Sequence, residues 1–140
     1  DVVGINSRLD TIQAVILLKK IKYLDSLNYK RKKIAGMYNE LISNKNIIKL
    51  NYSKGCVFHQ YVVMAKNPKK FRNYLRLKKI PFGRHYPFPI HKLHAVKKMF
   101  IKEKYEFSEK LSQNGVSLPI NPMLKKNAIL KVIKIVNSFK

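Results

Sequence analysis

Apolar positions keep a helical rhythm through the first third of the chain and lose it beyond residue 46. Leu9, Ile12, Ile16 and Tyr23 recur at helical spacing, and Leu24, Leu27, Ile34, Tyr38 and Leu41 repeat the period. These positions predict one helix over about 7–24 and another over about 26–43, joined through a bend or separate. Ser7 suits the N-cap of the first, with Asp10 three residues on making a weak capping box. "SNKN" at 43–46 ends the second.

The middle is richer in β-branched and aromatic residues. "IIKLN" (47–51) and "VFHQYVVMA" (57–65) predict an antiparallel pair, with "YSKG" as the turn between them. In "FHQYVV", His59 and Tyr61 would share one strand face and Gln60 and Val62 the other, a structural pattern. "NPKKFRNYLRLKK" (67–79) predicts a short helix with Pro68 near its first turn and Phe71 and Leu75 on one face. "PFGRHY" (81–86) predicts a strand, and "IHKLHAVKKM" a turn and short helix after Pro87 and Pro89. "EFSEKLSQNG" predicts a helix ended by Gly115, and "VSLPINP" (116–122) an extended segment. "KNAILKVIKIVNSF" closes with a helix whose apolar face is Ile129, Val132, Ile133 and Val136. The order implies an α+β fold: long helices, then a small, mostly antiparallel sheet with helices against it. No repeat, low-complexity tract or linker composition divides it.

Composition narrows the picture. The 140 residues, 46% hydrophobic, suffice for one domain with a core; a domain of this size buries roughly two thirds of its unfolded surface. The longest purely apolar run, "AVILL" at 14–18, is too short to cross a membrane, and no signal peptide is visible. A single cysteine, Cys56, excludes an internal disulfide, suits a reducing cytoplasm and reads as a packing residue. The first residue is Asp1 rather than Met, as expected of a piece of something longer.

The net charge of +23 suggests an anionic partner, yet nearly all of the excess is lysine, spread along the chain among Asn and Ile. AT-rich codons encode all three, so base composition explains the charge more simply than selection does. A small basic nucleic-acid-binding module is the alternative function, with Tyr and Phe among the lysines but no helix-turn-helix, RNP or zinc-finger signature. The histidines of "HKLH" (His91, His94) have metal-compatible spacing but no nearby Cys or carboxylate in sequence, so no metal site is assigned.

Five motifs in order, "GINSRLDTIQA", "YLDSLNYKRKKIAGMYNELI", "FHQYVV", "GRHYPFPIH" and "SLPINP", resemble the C-terminal part of the sugar aminotransferases of the DegT–DnrJ–StrS group, over essentially the whole chain. The resemblance implies the small C-terminal domain of an aspartate-aminotransferase-like (fold type I) enzyme, with residues 1–43 as interface helices and 44–140 as the small α+β domain. It implies pyridoxal 5′-phosphate as cofactor, glutamate as amino donor, and a nucleotide-linked keto sugar as acceptor, in service of a surface polysaccharide. A cytoplasmic homodimer with shared active sites is expected, with no membrane or specific nucleic-acid partner.

By the same resemblance, Asn6 reaches across the dimer to the cofactor phosphate and Arg8 lies beside the nucleotide-sugar. The physics is compatible: a helix amino end and an amide donor suit a phosphate, and an anion would relieve an arginine placed in a first helical turn. Without the family, Asn6 reads as a turn residue and Arg8 as a solvated charge. His85 and Tyr86, ahead of two stiffening prolines, are implied to hydrogen-bond the sugar; alone they read as a half-buried strand end. Arg84 is similar to family members acting on keto-hexoses but is less diagnostic. No lysine of the chain stands in the motif that attaches the cofactor, so no catalytic residue is assigned. The large cofactor-binding domain is expected to lie outside the chain, which alone should be inactive, whether as fragment, split-gene product or relic.

Overall fold

The computed structural model describes residues 4–100 and 104–140. Helix α1 (Thr11–Ile21) is followed at once by α2 (Leu24–Leu41), with a turn at Lys22 and Tyr23 in place of a continuous rod. The first helix starts later than the apolar period predicts. Asp10, not Ser7, is its N-cap, and its carboxylate accepts from Gln13 N at 2.8 Å. An aspartate there satisfies an orphan N–H and puts negative charge at the positive helix end. Arg8 therefore lies in the extended, exposed lead-in and not in a first turn.

Strands β1 (Ile47–Lys49), β2 (Tyr61–Ala65) and β3 (Gly115–Leu118) form an antiparallel sheet with β2 in the centre. The expected tight turn between the first two strands is a longer loop. The chain bends at Phe58, whose φ is +53°, so the strand starts at Tyr61 and His59 and Gln60 stay outside it. Cys56 serves this bend, its Sγ accepting from Phe58 N at 3.4 Å. Tyr52 takes over where β1 stops: its hydroxyl accepts from Val62 N at 2.8 Å and donates to Val62 O at 2.9 Å, beside the last rung, Lys49 with Val63. A side chain here satisfies backbone groups that a longer strand would have paired.

Helix α3 (Pro68–Leu77) has Asn67 as its N-cap and Pro68 at its start, and buries Phe71 and Leu75. Two short 3₁₀ turns, Ile90–Lys92 and Lys97–Phe100, replace the short helix expected there. Helix α4 (Glu106–Asn114) runs directly into β3, its C-cap Gly115 being extended rather than left-handed. Helix α5 (Lys126–Asn137) buries Ile129, Val132, Ile133 and Val136, the face its period predicts.

The core gathers α2, α3, α5 and the sheet around Tyr38, Tyr61, Phe71, Val63 and Val116. Tyr38 donates to Pro119 O at 2.6 Å, and Tyr61 donates to Asn39 Oδ1. Two asparagines clasp the carboxyl ends of α2 and α5. Asn137 Nδ2 donates to Leu41 O at 2.8 Å, while Asn44 Nδ2 donates to Val136 O at 2.8 Å and Phe139 O at 2.7 Å. Each supplies donors to the orphan carbonyls of the other helix. By contrast, α1 buries none of its residues, although Ile12, Val15, Ile16, Leu17, Leu18 and Ile21 are apolar. Among the described residues, no helix is long and apolar enough to cross a membrane.

Candidate substrate-binding cleft

Segment 81–86 is not the strand its composition predicts. It makes one bridge, Gly83 with Ser117: Gly83 N donates to Ser117 O at 3.0 Å and Ser117 N to Gly83 O at 2.9 Å. Pro81 and Pro87 bracket it and lack the donors a longer ladder requires. The bridge fixes the segment against β3 just before His85. The imidazole then folds back over Gly83 and brings Nδ1 to 2.9 Å from Ser117 Oγ. Ser117 is the one buried polar residue of the described core, and this bond satisfies its hydroxyl. The His85–Tyr86 peptide bond is cis, and the Tyr86 ring stands edge-on to the imidazole at 5.6 Å.

His85 and Tyr86 open a cleft of about 750 Å³ between segment 85–93 and α4. Phe88, Ile90, Leu93, Phe100, Tyr105 and Leu111 give it apolar and aromatic walls, and Ser108 and Ser112 bring hydroxyls from α4. Tyr86 is 70% exposed. Neither its hydroxyl nor His85 Nε2 has a hydrogen-bond partner among the described residues, so both are open to a ligand. Pockets of this kind, apolar with a few polar groups, suit small molecules. An imidazole, a phenol and two hydroxyls can orient a polyhydroxylated ligand.

His91, considered above for a metal, forms part of the wall instead. Its ring lies 4.9 Å from Tyr105, and Nε2 lies 3.1 Å from Glu109 Oε1; Lys92 bonds the other carboxylate oxygen. Lys92 and then His91 hold the Glu109 carboxyl below its ordinary pKa. This cluster ties the loop to α4 and so fixes the width of the cleft. Sequence reasoning missed Glu109, Ser108 and Ser112. The signal was the repeat in "SEKLS", which sets Ser108 and Ser112 four apart on one helical face around Leu111. Arg84 turns away to α4, donating to Ser112 O at 3.3 Å.

Asn6 and Arg8 are not brought to this cleft. Both are exposed on the lead-in to α1 and make no hydrogen bond with the described residues. The fit to pyridoxal phosphate is correspondingly partial. A phosphate site needs several converging donors, and the lead-in offers the amide of Asn6 and the guanidinium of Arg8 without a cradle around them. These residues suit one edge of a cofactor site and cannot form the whole of it.

The model of the DegT/DnrJ/EryC1/StrS aminotransferase family matches residues 1–137. A dTDP-3-amino-3,6-dideoxy-alpha-D-galactopyranose transaminase from Aneurinibacillus thermoaerophilus is 37% identical over 138 residues, 97% of this chain and 38% of that protein. A UDP-2-acetamido-2-deoxy-3-oxo-D-glucuronate aminotransferase from Pseudomonas aeruginosa is 34% identical over 94% of this chain and 36% of its own length. Among solved structures, DesV of S. venezuelae superposes with a TM-score of 0.83 at 29% identity, over 96% of this chain and 37% of that one. A Brucella abortus aminotransferase gives 0.82 at 30% identity, over 98% and 37%. The chain thus spans little more than a third of the relatives it matches.

Proposed function

The chain belongs to the DegT/DnrJ/EryC1/StrS aminotransferase family, and from that premise we propose that it is the C-terminal part of a pyridoxal-phosphate-dependent enzyme. That enzyme passes an amino group from glutamate to a keto sugar carried on a nucleotide. The observation that carries this reading is the extent of the family match, which runs unbroken through the exposed lead-in, both long helices and the cleft.

The two regions have separate tasks. Bound pyridoxal phosphate supplies the electron sink for amino transfer, and a large domain outside this chain holds most of it, together with the lysine to which it attaches. Asn6 donates its amide to the cofactor phosphate across a homodimer interface, and Arg8 pairs with the nucleotide-sugar there. His85 and Tyr86 hydrogen-bond the sugar at the mouth of the cleft. Ser117 fixes the imidazole so that Nε2 is the nitrogen left to face the ligand. The bare apolar surface of α1 supports an interface role, since an exposed patch of this kind drives association. The 140-residue chain alone does not catalyse amino transfer.

A chimera tests the reading. Residues 1–137 replace the matching segment of the A. thermoaerophilus relative, and amino transfer from glutamate is assayed with nucleotide-linked keto sugars. Activity that depends on added pyridoxal phosphate is expected. A soluble, dimeric chimera that holds the cofactor but aminates no such sugar would overturn the proposal.

A further inference from the structure

Arginine supplies five of the thirty basic residues, at positions 8, 31, 72, 76 and 84. In a chain where lysine is the ordinary cation, three of the five converge. Arg72 and Arg76 stand four residues apart on α3 and share a face. Arg84 arrives from the bridged segment that follows. Adjacent carbonyls at the end of α4 locate two of them: Arg72 Nη1 is 3.5 Å from Gln113 O, and Arg84 Nη2 is 3.3 Å from Ser112 O. The Arg76 guanidinium lies 5.8 Å from the centroid of Phe82, two residues before Arg84, and Nη1 donates to Asn73 Oδ1 at 2.8 Å. Burial first, and then the charges of Arg84 and Arg76, push the Arg72 guanidinium below its ordinary pKa.

Among the described residues, no carboxylate answers these charges. Among the described residues the ion pairs are those of Glu109 with His91 and Lys92. A guanidinium carries five N–H donors, and each of the three spends one on a neutral oxygen. The carboxyl end of α4 offsets about half a unit charge, against three. Planar forks match phosphate oxygens in a way that the point charge of a lysine does not.

We propose that Arg72, Arg76 and Arg84 form a binding site for a phosphate group. It goes beyond the reading of the cleft and does not depend on it. Ser112 lines the cleft and its carbonyl takes Arg84, so the site borders the α4 end of the cleft. Two sources share the chemistry: free phosphate, and a phosphate of a nucleotide-sugar lying in the cleft.

Arginine Nε–Hε signals in ¹H–¹⁵N spectra give the readout, because the chain has only five arginines. The chain is titrated with inorganic phosphate at ionic strength held by sodium chloride. Arg72, Arg76 and Arg84 should move together with a dissociation constant on the order of 1 mM, while Arg8 and Arg31 stay still. Arg76→Gln, chosen because its hydrogen bond lies within its own helix, should weaken binding about tenfold. Arg76→Lys should weaken it about threefold, and Lys131→Gln should leave it unchanged. A parallel titration with UDP-glucose separates the sources. A substrate-linked site moves the three arginines together with His85 and Tyr86, whereas a free-phosphate site responds to phosphate alone; either pattern supports the proposal. All five arginines drifting alike, or an affinity unchanged by Arg76→Gln, would overturn it. UDP-glucose moving His85 and Tyr86 but no arginine, with phosphate equally silent, would overturn it and leave the proposed function standing.

Discussion

A single methyl group at position 83 should displace the imidazole of the cleft. A Cβ on Gly83 would lie 2.4 Å from His85 Cε1 and 2.9 Å from Nδ1. The glycine has no positive φ, so alanine suits the backbone and the conflict is with the ring alone. The ring must swing outward, which breaks the 2.9 Å contact with Ser117 Oγ. Ser117 is 5% exposed, and stranding its hydroxyl costs about 1–3 kcal/mol. Replacing glycine by alanine returns about 0.4–1 kcal/mol through the unfolded chain. The net loss is about 1 kcal/mol, or about 0.5–1 M in the urea midpoint at an ordinary slope for a small domain. Ser117→Ala removes the hydroxyl together with the bond, so it should cost less. In that background Gly83→Ala should change sign and stabilise, because no bond remains to lose. Urea unfolding followed by circular dichroism, with the His85 ring signal in NMR, measures both effects. A Gly83→Ala protein with the wild-type midpoint and an unmoved His85 signal would refute the reasoning, as would equal losses in the two backgrounds.

Three further outcomes follow from the packing and the charges. Burial raises the Tyr38 and Tyr61 phenols well above their ordinary value of 10, so the folded chain holds these protons more tightly than the unfolded one; their contribution is whole below pH 10 and drains away above it. Phenolate absorbance should show these two tyrosines ionising only as the chain unfolds. Lys92 and then His91 depress the Glu109 pKa from 4.5, so its small contribution is whole above pH 4.5 and is lost as the pH falls through the folded value. Glu109→Gln should flatten that part of the acid stability profile, and a carboxyl NMR titration with a midpoint at 4.5 or above would contradict the assignment. The isolated chain should associate through α1, with Ile12→Lys and Ile16→Lys together giving a monomer of nearly unchanged stability, within about 0.5 kcal/mol per exposed site. Sedimentation of the wild-type chain as a clean monomer at high concentration would count against the interface.

What the sequence revealed depended on whether the governing interaction was local. The face of α5, the start of α3 at Pro68 and the antiparallel pairing are read from period and turn chemistry, and Ile129, Val132, Phe71 and Leu75 are buried as expected. Ser7 and Asp10 are both good caps, and composition does not separate them; α1 starts after Asp10, whose carboxylate accepts from Gln13 N. Residues 81–86 have strand composition but form no strand, because the proline bracket and a single partner, Ser117, limit the pairing. His85 and Tyr86 were legible as a pair ahead of two prolines. Ser117, which holds His85, and Glu109 and Ser112, which hold His91 and Arg84, were not, since they arrive from β3 and α4 through tertiary packing.

With Asn6 and Arg8 in their proposed roles, this chain completes the active site of its partner subunit. Mixed dimers of the chimera test it most directly. One subunit has the cofactor-attaching lysine of its large domain replaced; the other carries Asn6→Ala with Arg8→Ala. The second form alone should be weakened about a hundredfold or more, from about 1 kcal/mol for the neutral hydrogen bond and about 1.5–3 for the charged one. If the sites are shared, one of the two in a heterodimer collects both defects and the other stays intact. Random reassortment of equal amounts should then restore about a quarter of the unmutated chimera's activity, since about half of the dimers are mixed and each has one good site. Activity no greater than that of the separate forms, with heterodimers verified, would contradict the claim and leave Asn6 as a turn residue and Arg8 as a solvated charge.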